Sequence, residues 1–485
     1  MTTMSQNEAS LGQPQARGST SAKWAPLAVL LCGPFVYVLD FFVINVALPD
    51  IQRGLHASAA AIEWVVAGYA LTSACLLVTG GRLGDLYGRR RMFTLGIAAF
   101  AVTSALCALA PDTGFLVAAR LAQGAAAAIM APNVLSIIGI AYSGPDRVRA
   151  ITAYGLVMGL AAAGGQLIGG LLIGANLGGL GWRAIFWVNV PVSLAAVVAA
   201  RWLVPESCGA GRGRLDLVGV ALLTAALVAI VLPLSIGRAD GWPAWSLESL
   251  AAGPVLLAGF GWWLRAVGRR GGQPLLDPAI FAVRPLRAGL TVQVLFWCQQ
   301  AAGYLVIALY LQQGRGLSPI ASGEVFSVLA AGYLATSLPA PALIVRFGRW
   351  VIFTGALAAA LGDCLLALAA WDWGTGGPLA AFLPPLAVLG AGQGLCITPL
   401  TTTALSHASP KTAGSVSGAL STAQQVGNAI GVALTGIVFY GLAPRGMAAS
   451  FGWSAAELGA LLLGVAALSL IISRAPSGSR QPREG

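Results

Sequence analysis

Between two apolar stretches, 61–79 and 93–110, the chain reads Gly81-Arg82-Leu83-Gly84-Asp85-Leu86-Tyr87-Gly88-Arg89-Arg90-Arg91. The chain must turn sharply between two spans here, and Gly84 and Gly88 permit backbone conformations closed to other residues. Asp85 is spaced to pair with the arginines or to face the N-terminus of a neighbouring helix. An ordinary basic loop would account for the arginines but not for the glycine and aspartate spacing. Gly81, Gly84, Asp85, Gly88, Arg89 and Arg90 are therefore read as a conformational latch between two membrane spans.

Working outward, apolar runs of about 20 residues, the length that crosses about 30 Å of hydrocarbon, recur along nearly the whole chain. They fall at 24–48, 61–79, 93–110, 115–141, 149–175, 184–204, 215–236, 247–266, 287–311, 320–345, 350–370, 377–403, 412–440 and 451–472. Of 485 residues, 57% are hydrophobic and 9% charged, with a mean hydropathy of +0.80. Soluble domains carry about 25% charged residues, so this chain has too little charge to cover a water-facing surface. The expectation is an all-α polytopic membrane protein with fourteen transmembrane helices.

The formal net charge is +11. Its location excludes a nucleic-acid partner, because the basic residues form short clusters between apolar runs rather than a basic domain. With the N-terminus cytoplasmic, the inner loops, tails and inner span ends hold 22 Lys and Arg, and the outer loops hold five: Arg53, Arg183, Arg238, Arg315 and Arg445. Acidic residues split seven inside and eight outside, so the asymmetry is the Lys/Arg bias that sets topology. Both termini are then cytoplasmic. None of the seven cysteines forms a C-x-x-C pair, so neither a disulfide framework nor a metal site is expected, and no cofactor. No G-x-x-x-x-G-K-[ST] phosphate loop occurs, which argues against an ATP-driven pump.

Internal repetition organises the runs. Leu86-Tyr87-Gly88-Arg89-Arg90 after the second run matches Arg346-Phe347-Gly348-Arg349-Trp350 after the tenth. Gln123-Gly124 in the fourth matches Gln393-Gly394 in the twelfth. Gly165 through Gly169-Gly170 in the fifth matches Gly427 through Gly431-Val432 in the thirteenth. Matches in the same order predict a 6+2+6 plan: a tail at 1–23, six helices in 24–204, two inserted helices in 205–286, six more in 287–472, and a tail at 473–485. Duplicated halves around a midplane site are the usual build of secondary transporters.

The 81–91 segment resembles the signature loop of the major facilitator superfamily. Leu39-Asp40 through Asn45 to Pro49 is similar to the first-helix motif of its fourteen-helix drug/proton antiporter branch. Arg120-Leu-Ala-Gln123-Gly124 matches the superfamily's fourth-helix motif, and Ser417-Gly418 through Gln424-Gln425-Val-Gly427 to Gly431 resembles the branch's thirteenth helix. The resemblance spans about 24–472 and implies the major facilitator fold. One position departs: the branch's fifth-helix signature carries a proline where this chain has Gln166, between Gly165 and Gly169-Gly170. The glycines still allow close helix packing, but the residue that would kink or seal the helix is absent.

An ionisable residue inside the bilayer costs about 2.5–3.5 kcal/mol and is a functional candidate by default. Asp40 lies deep in the first run, and the resemblance implies a role in proton coupling. Arg120, in the outer part of the fourth run, is its candidate counter-charge, and Asp363 in the eleventh run is a second candidate acid. Tyr37, Asn45, Tyr69, Gln123, Trp297, Gln299, Gln300, Tyr304 and Gln425 are candidates for lining a substrate cavity. Glu324, near the outer end of the tenth run, is weighed between the cavity and a solvated helix end.

The expected function is a monomeric, proton-coupled exporter of small amphiphilic molecules, drugs or antibiotics, in the bacterial cytoplasmic membrane. A proton symporter importing a metabolite is the alternative, although such proteins need more fixed polar cavity groups than these runs carry. A membrane enzyme or receptor lacks both a reactive cluster and a sensor domain. The orientation has a direct check. In a cysteine-free background, an impermeant thiol reagent applied from outside is expected to modify Asp240→Cys and spare Arg212→Cys; the reverse pattern would invert the topology.

Overall fold

The computed structural model describes residues 20–208, 215–237, 241–276, 278, 284–406 and 413–472. Positions 212 and 240, residues 1–19 and the tail 473–485 lie outside them. The helices are α1 (Thr20–Gly54), α2 (Ala59–Tyr87), α3 (Arg89–Ala108), α4 (Thr113–Ala141), α5 (Gly144–Ala175), the short α6 (Ala184–Trp187) and α7 (Asn189–Leu203). They continue as α8 (Leu217–Ile236), α9 (Ala244–Arg269), α10 (Arg284–Leu309), α11 (Pro319–Ser337), the short α12 (Ala340–Phe347), α13 (Trp350–Trp373), α14 (Leu383–Ser406), α15 (Ala413–Gly441) and α16 (Met447–Ile472). Local signals set several starts: the side chains of Ser58, Asp112 and Ser318 each accept a backbone N–H in the first turn of α2, α4 and α11.

Among the described residues, twelve helical segments are long and apolar enough to cross a membrane, and a bent segment within α5 is the thirteenth. The remaining expected span, 412–440, corresponds to α15. It is long enough at 29 residues, but Gln424, Gln425 and Asn428 dilute its apolar run and it is not among these. Twelve or thirteen of the fourteen expected spans thus qualify by length and apolarity.

Packing repeats along the chain. α2 lies against α4, α3 against α4 and α7, and α1 against α5 and α7. In the same pattern α11 lies against α14, α13 against α14 and α16, and α10 against α15 and α16. Small residues allow these approaches. A Cβ added at Gly124 would fall 2.4 Å from the Tyr69 carbonyl oxygen and 2.2 Å from Thr72 Oγ1. Its counterpart Gly394 would meet the Tyr333 carbonyl and Thr336 Oγ1, each at 2.4 Å. The two sets meet along α5–α11 and α2–α15. A Cβ at Gly170 would lie 2.7 Å from the Pro319 carbonyl oxygen, and one at Gly323 would lie 2.7 Å from Leu167 Cα. Ser417 Oγ on α15 donates to the Pro132 carbonyl of α4 at 2.7 Å. The pair α8–α9 packs on the flank of α2 and α15.

α5 is bent although position 166 is glutamine and not proline. Its two parts, Gly144–Ala162 and Gly164–Ala175, meet at 44°. Adjacent Gly164 and Gly165 supply the bend that a proline would otherwise cause, since paired small residues are a recognised cause of sharp kinks.

The close approaches predict a stability effect. Gly124→Val and Gly394→Val should each cost about 1–3 kcal/mol through overpacking, read as a lower melting temperature in detergent. Gly259→Ala on α9, where an added Cβ meets open space, should not lower it.

Candidate functional site

The site is built around Asp40, fully buried on α1. Pro34 and Pro49 flank it within the same helix. Arg120 of α4 is equally buried, and its Nη1 pairs with Asp40 Oδ2. The other carboxylate oxygen accepts from Gln123 Nε2 at 3.0 Å and from Asn189 Nδ2 at 2.9 Å. Gln123 Oε1 in turn accepts from Arg120 Nη1 at 2.7 Å, and Gln123 Nε2 also donates to Ser104 Oγ at 2.7 Å. Arg120 Nε donates to the Val65 carbonyl at 3.0 Å, and its guanidinium stacks 4.3 Å from the Tyr69 ring centroid. Helices α1, α2, α3, α4 and α7 thus each contribute a group. A buried pair is tolerated only when its remaining donors and acceptors are satisfied, and removing one partner costs about 3–5 kcal/mol.

A second polar cluster sits in the later helices. Asp363 of α13, also buried, accepts from Gln299 Nε2 of α10 at 2.9 Å. Gln299 Oε1 accepts from Gln393 Nε2 of α14 at 3.2 Å, and Tyr304 donates its hydroxyl to Gln393 Oε1 at 2.8 Å. Gln300 Nε2 lies 3.5 Å from that hydroxyl. Gln393 therefore occupies the place in this cluster that Gln123 holds in the first. No arginine or lysine ion pair reaches Asp363 among the described residues. The two clusters face each other through Phe42 and Tyr304, whose rings are 5.3 Å apart.

The remaining candidates distribute around these clusters. Tyr69 donates to the Tyr37 carbonyl at 3.1 Å, and the hydroxyl of buried Tyr37 has no protein partner among the described residues. Gln300 Oε1 and Gln425 Nε2 are likewise buried without one. Gln425 Oε1 accepts from Asn428 at 2.8 Å, and Trp297 Nε1 donates to Gln293 at 2.8 Å. Asn45 is half-buried. Glu324 is exposed on α11 and stands apart from both clusters. On α5, Gly165 and Gly169 pack on α1 at Phe42 and Val43, Gly170 packs on α11, and Gln166 Nε2 lies 3.4 Å from the Phe42 carbonyl.

At the 81–91 loop, Arg89 donates to Asp85 at 2.6 Å, and both are buried. Gly88 turns the chain at φ 104°, with Glu206 Oε1 only 2.8 Å from where a Cβ would stand. Glu206 accepts the Arg90 backbone N–H at 3.0 Å and forms longer ion pairs with Arg90 and Arg91 at 3.6 and 3.7 Å. Gly84 abuts Asn133 of α4. Gly81 is buried on the same helix end.

Asn189, Ser104 and Glu206 escaped the sequence reading. Asn189 follows Phe186-Trp187 near the start of an apolar run, and its lone amide there was the available signal. Ser104 carries none, because serines are common in apolar helices. Glu206 is an acid after an inner helix end, indistinguishable by sequence from a solvated one.

The loop geometry makes one prediction. Asp85→Asn strips Arg89 of its charge partner in a buried position, which favours an arrangement where Arg89 reaches water. Thiol reactivity of Ser417→Cys, at the α4–α15 contact, should rise by about tenfold or more in that background. Unchanged reactivity would mean the loop acts only as a topology signal.

The family model described as Major Facilitator Superfamily matches residues 30–432. The chain is 37% identical over 426 residues to the probable actinorhodin transporter of Streptomyces coelicolor, covering 87% of this chain and 73% of that protein. It is 33% identical over 463 residues to the cephamycin export protein CmcT of Amycolatopsis lactamdurans, covering 93% of each. Among solved structures, the proton:xylose symporter XylE superposes with a TM-score of 0.66 at 16% identity, over 93% of this chain and 95% of that one. That likeness concerns the fold alone. With its repeated helix packing, its apolar spans and these matches, the chain is a multi-pass membrane protein that belongs to the major facilitator superfamily of transporters.

Proposed function

We propose that this protein exports small amphiphilic molecules across a bacterial cytoplasmic membrane by exchanging them for protons. Export as the direction rests on the relatives named for antibiotic transport and export. In this reading two six-helix halves, 24–204 and 287–472, rock about a central site as a monomer, with 205–286 inserted, fourteen spans and both termini cytoplasmic.

Proton coupling rests on one observation: the partners of the Asp40 carboxylate among the described residues, Arg120, Gln123 and Asn189, are all donors. That surrounding suits an ionised carboxylate, which only accepts hydrogen bonds. A proton arriving on Asp40 cancels the charge that holds Arg120. Arg120 is then a buried cation without a counter-charge, a condition costing several kcal/mol. The helices must rearrange to hydrate or re-pair it, and that rearrangement is the coupling step. Asp363, held by one neutral amide, is the second acid of the cycle. The unpaired polar atoms of Tyr37, Gln300 and Gln425 would meet the cargo, with the Phe42 and Tyr304 rings as its apolar walls. The small number of fixed charges suits amphiphilic cargo.

Asp40→Asn removes the exchangeable charge while keeping side-chain size. In proteoliposomes with an imposed pH gradient it should lower uphill export by about 150-fold or more, the factor that corresponds to the roughly 3–5 kcal/mol of a broken buried pair. Cargo-for-cargo exchange, which moves no net proton, should fall much less. Uphill export at the wild-type rate would make Asp40 structural; uphill accumulation of cargo in the direction of proton flow would make the protein a symporter.

A further inference from the structure

The inserted pair α8–α9 has no part in the polar clusters, yet it encloses a cavity of about 430 Å³ against α2, α10 and α15. Its walls are Leu227 of α8, Phe260 and Leu264 of α9, Val294 of α10, and Ala423 and Val426 of α15. Only two lining side chains are polar, Thr422 and Arg265. The Thr422 hydroxyl is buried without a protein partner among the described residues. Arg265 is exposed, one turn before the end of α9. It shares that end of the bundle with Arg269 and Arg270 of α9 and with Arg284 and Arg287 of α10, all exposed. None of the five forms an ion pair among the described residues, outside which Asp277 lies.

We propose that this cleft is a binding site for one anionic phospholipid, with an acyl chain in the cavity and the headgroup phosphate on Arg265. Inside the mouth the wall offers a compact solute a single hydroxyl, that of Thr422, whereas a chain needs only apolar length. Unpaired arginines at its mouth complement a phosphate, and basic pockets between helices on the cytoplasmic side attract anionic headgroups. The arginine-rich end is the cytoplasmic one in the orientation proposed above, on which this inference rests.

The position also carries a consequence. Val78 of α2 lines the cavity together with Ala419 and Ala423 of α15, and at the same level a Cβ on Gly418 would stand 3.2 Å from Val78 Cα. The lipid therefore touches both sides of the α2–α15 seam. It shifts the equilibrium between closed and open forms by its differential affinity for them.

The test uses the full chain in nanodiscs doped with phosphatidylglycerol or phosphatidylcholine carrying a diazirine on one acyl chain, with labelled peptides mapped by mass spectrometry. Phosphatidylglycerol should label α9 and α15 well above phosphatidylcholine. Arg265→Gln should reduce that labelling by about fivefold, and Arg265→Lys should restore most of it. Gly261→Leu fills the cavity from a position where an added Cβ meets open space. It should abolish cleft labelling while labelling elsewhere on the chain persists, which reports intact folding. Equal labelling by the two probes would overturn the proposal, as would wild-type labelling in both Arg265→Gln and Gly261→Leu. Displacement by an apolar drug but not by unlabelled phosphatidylglycerol would assign the cavity to cargo and equally overturn it.

Discussion

A charge held away from water must be matched within a few ångströms, and the arrangement of the first seven helices follows from that demand. Asp40 and Arg120 lie on different helices, each fully enclosed. Their remaining hydrogen-bonding capacity is met by Gln123, Asn189 and the Val65 carbonyl. For these groups to meet, α1, α2, α4 and α7 must converge at one depth. Gly124 makes this possible by admitting the backbone of α2 where any side chain would clash. Fold and chemistry are thus satisfied by the same close approach, and relaxing one relaxes the other.

The later helices repeat the scaffold without the charge. Gln393 and Gly394 stand as Gln123 and Gly124 do, and Tyr333 and Thr336 face Gly394 as Tyr69 and Thr72 face Gly124. Asp363 nevertheless pairs with no arginine among the described residues, and a relay of amides ending at Tyr304 takes its place. Duplication preserved the backbone fit, which is a matter of shape, and let the electrostatics diverge. Among the described residues the seams between the two sets carry few polar contacts; they are glycine against backbone, with Tyr333 hydroxyl to the Gly155 carbonyl and Ser417 to Pro132 among the exceptions. Surfaces of that kind slide or part without breaking ion pairs.

Much of this was legible from residues alone, because the bilayer imposes strong rules on composition. Apolar length marks a span, and an acid such as Asp40 within it is conspicuous. Arg120 was readable as the counter-charge of Asp40, whereas Gln123 reads as a cavity residue, because a shared helix face does not say which atoms meet. Asn189 and Ser104 were not legible, because small polar residues are cheap in a membrane helix and their value depends on neighbours about 85 to 150 positions away in sequence. Glu206 was missed because an acid just past an inner helix end carries the same sequence signal whether it faces water or turns back onto Gly88 and Arg90. The Gln166 departure left the shape of α5 open; the bend falls where Ala162 gives way to Gly164 and Gly165, and in a chain with 63 glycines such a pair does not stand out. The cleft beside α8–α9 had no sequence signal, since a cavity is a property of how three surfaces fail to fill space.

The bend in α5 differs in kind from one made by proline. Proline deletes a donor and sets a ring against the preceding turn, so its corner is built in covalently and persists in every conformation. Gly164, Gly165 and Gln166 each keep an N–H, and nothing covalent forbids the straight form. The 44° angle is then held by what α5 touches on either side, α1 at Gly165 and Gly169 and α11 at Gly170 and Gly174. A helix whose shape is held by its neighbours changes length along the membrane normal when they move. α5 can therefore act as a spring between the two sets of helices, where a proline helix would act as a bracket.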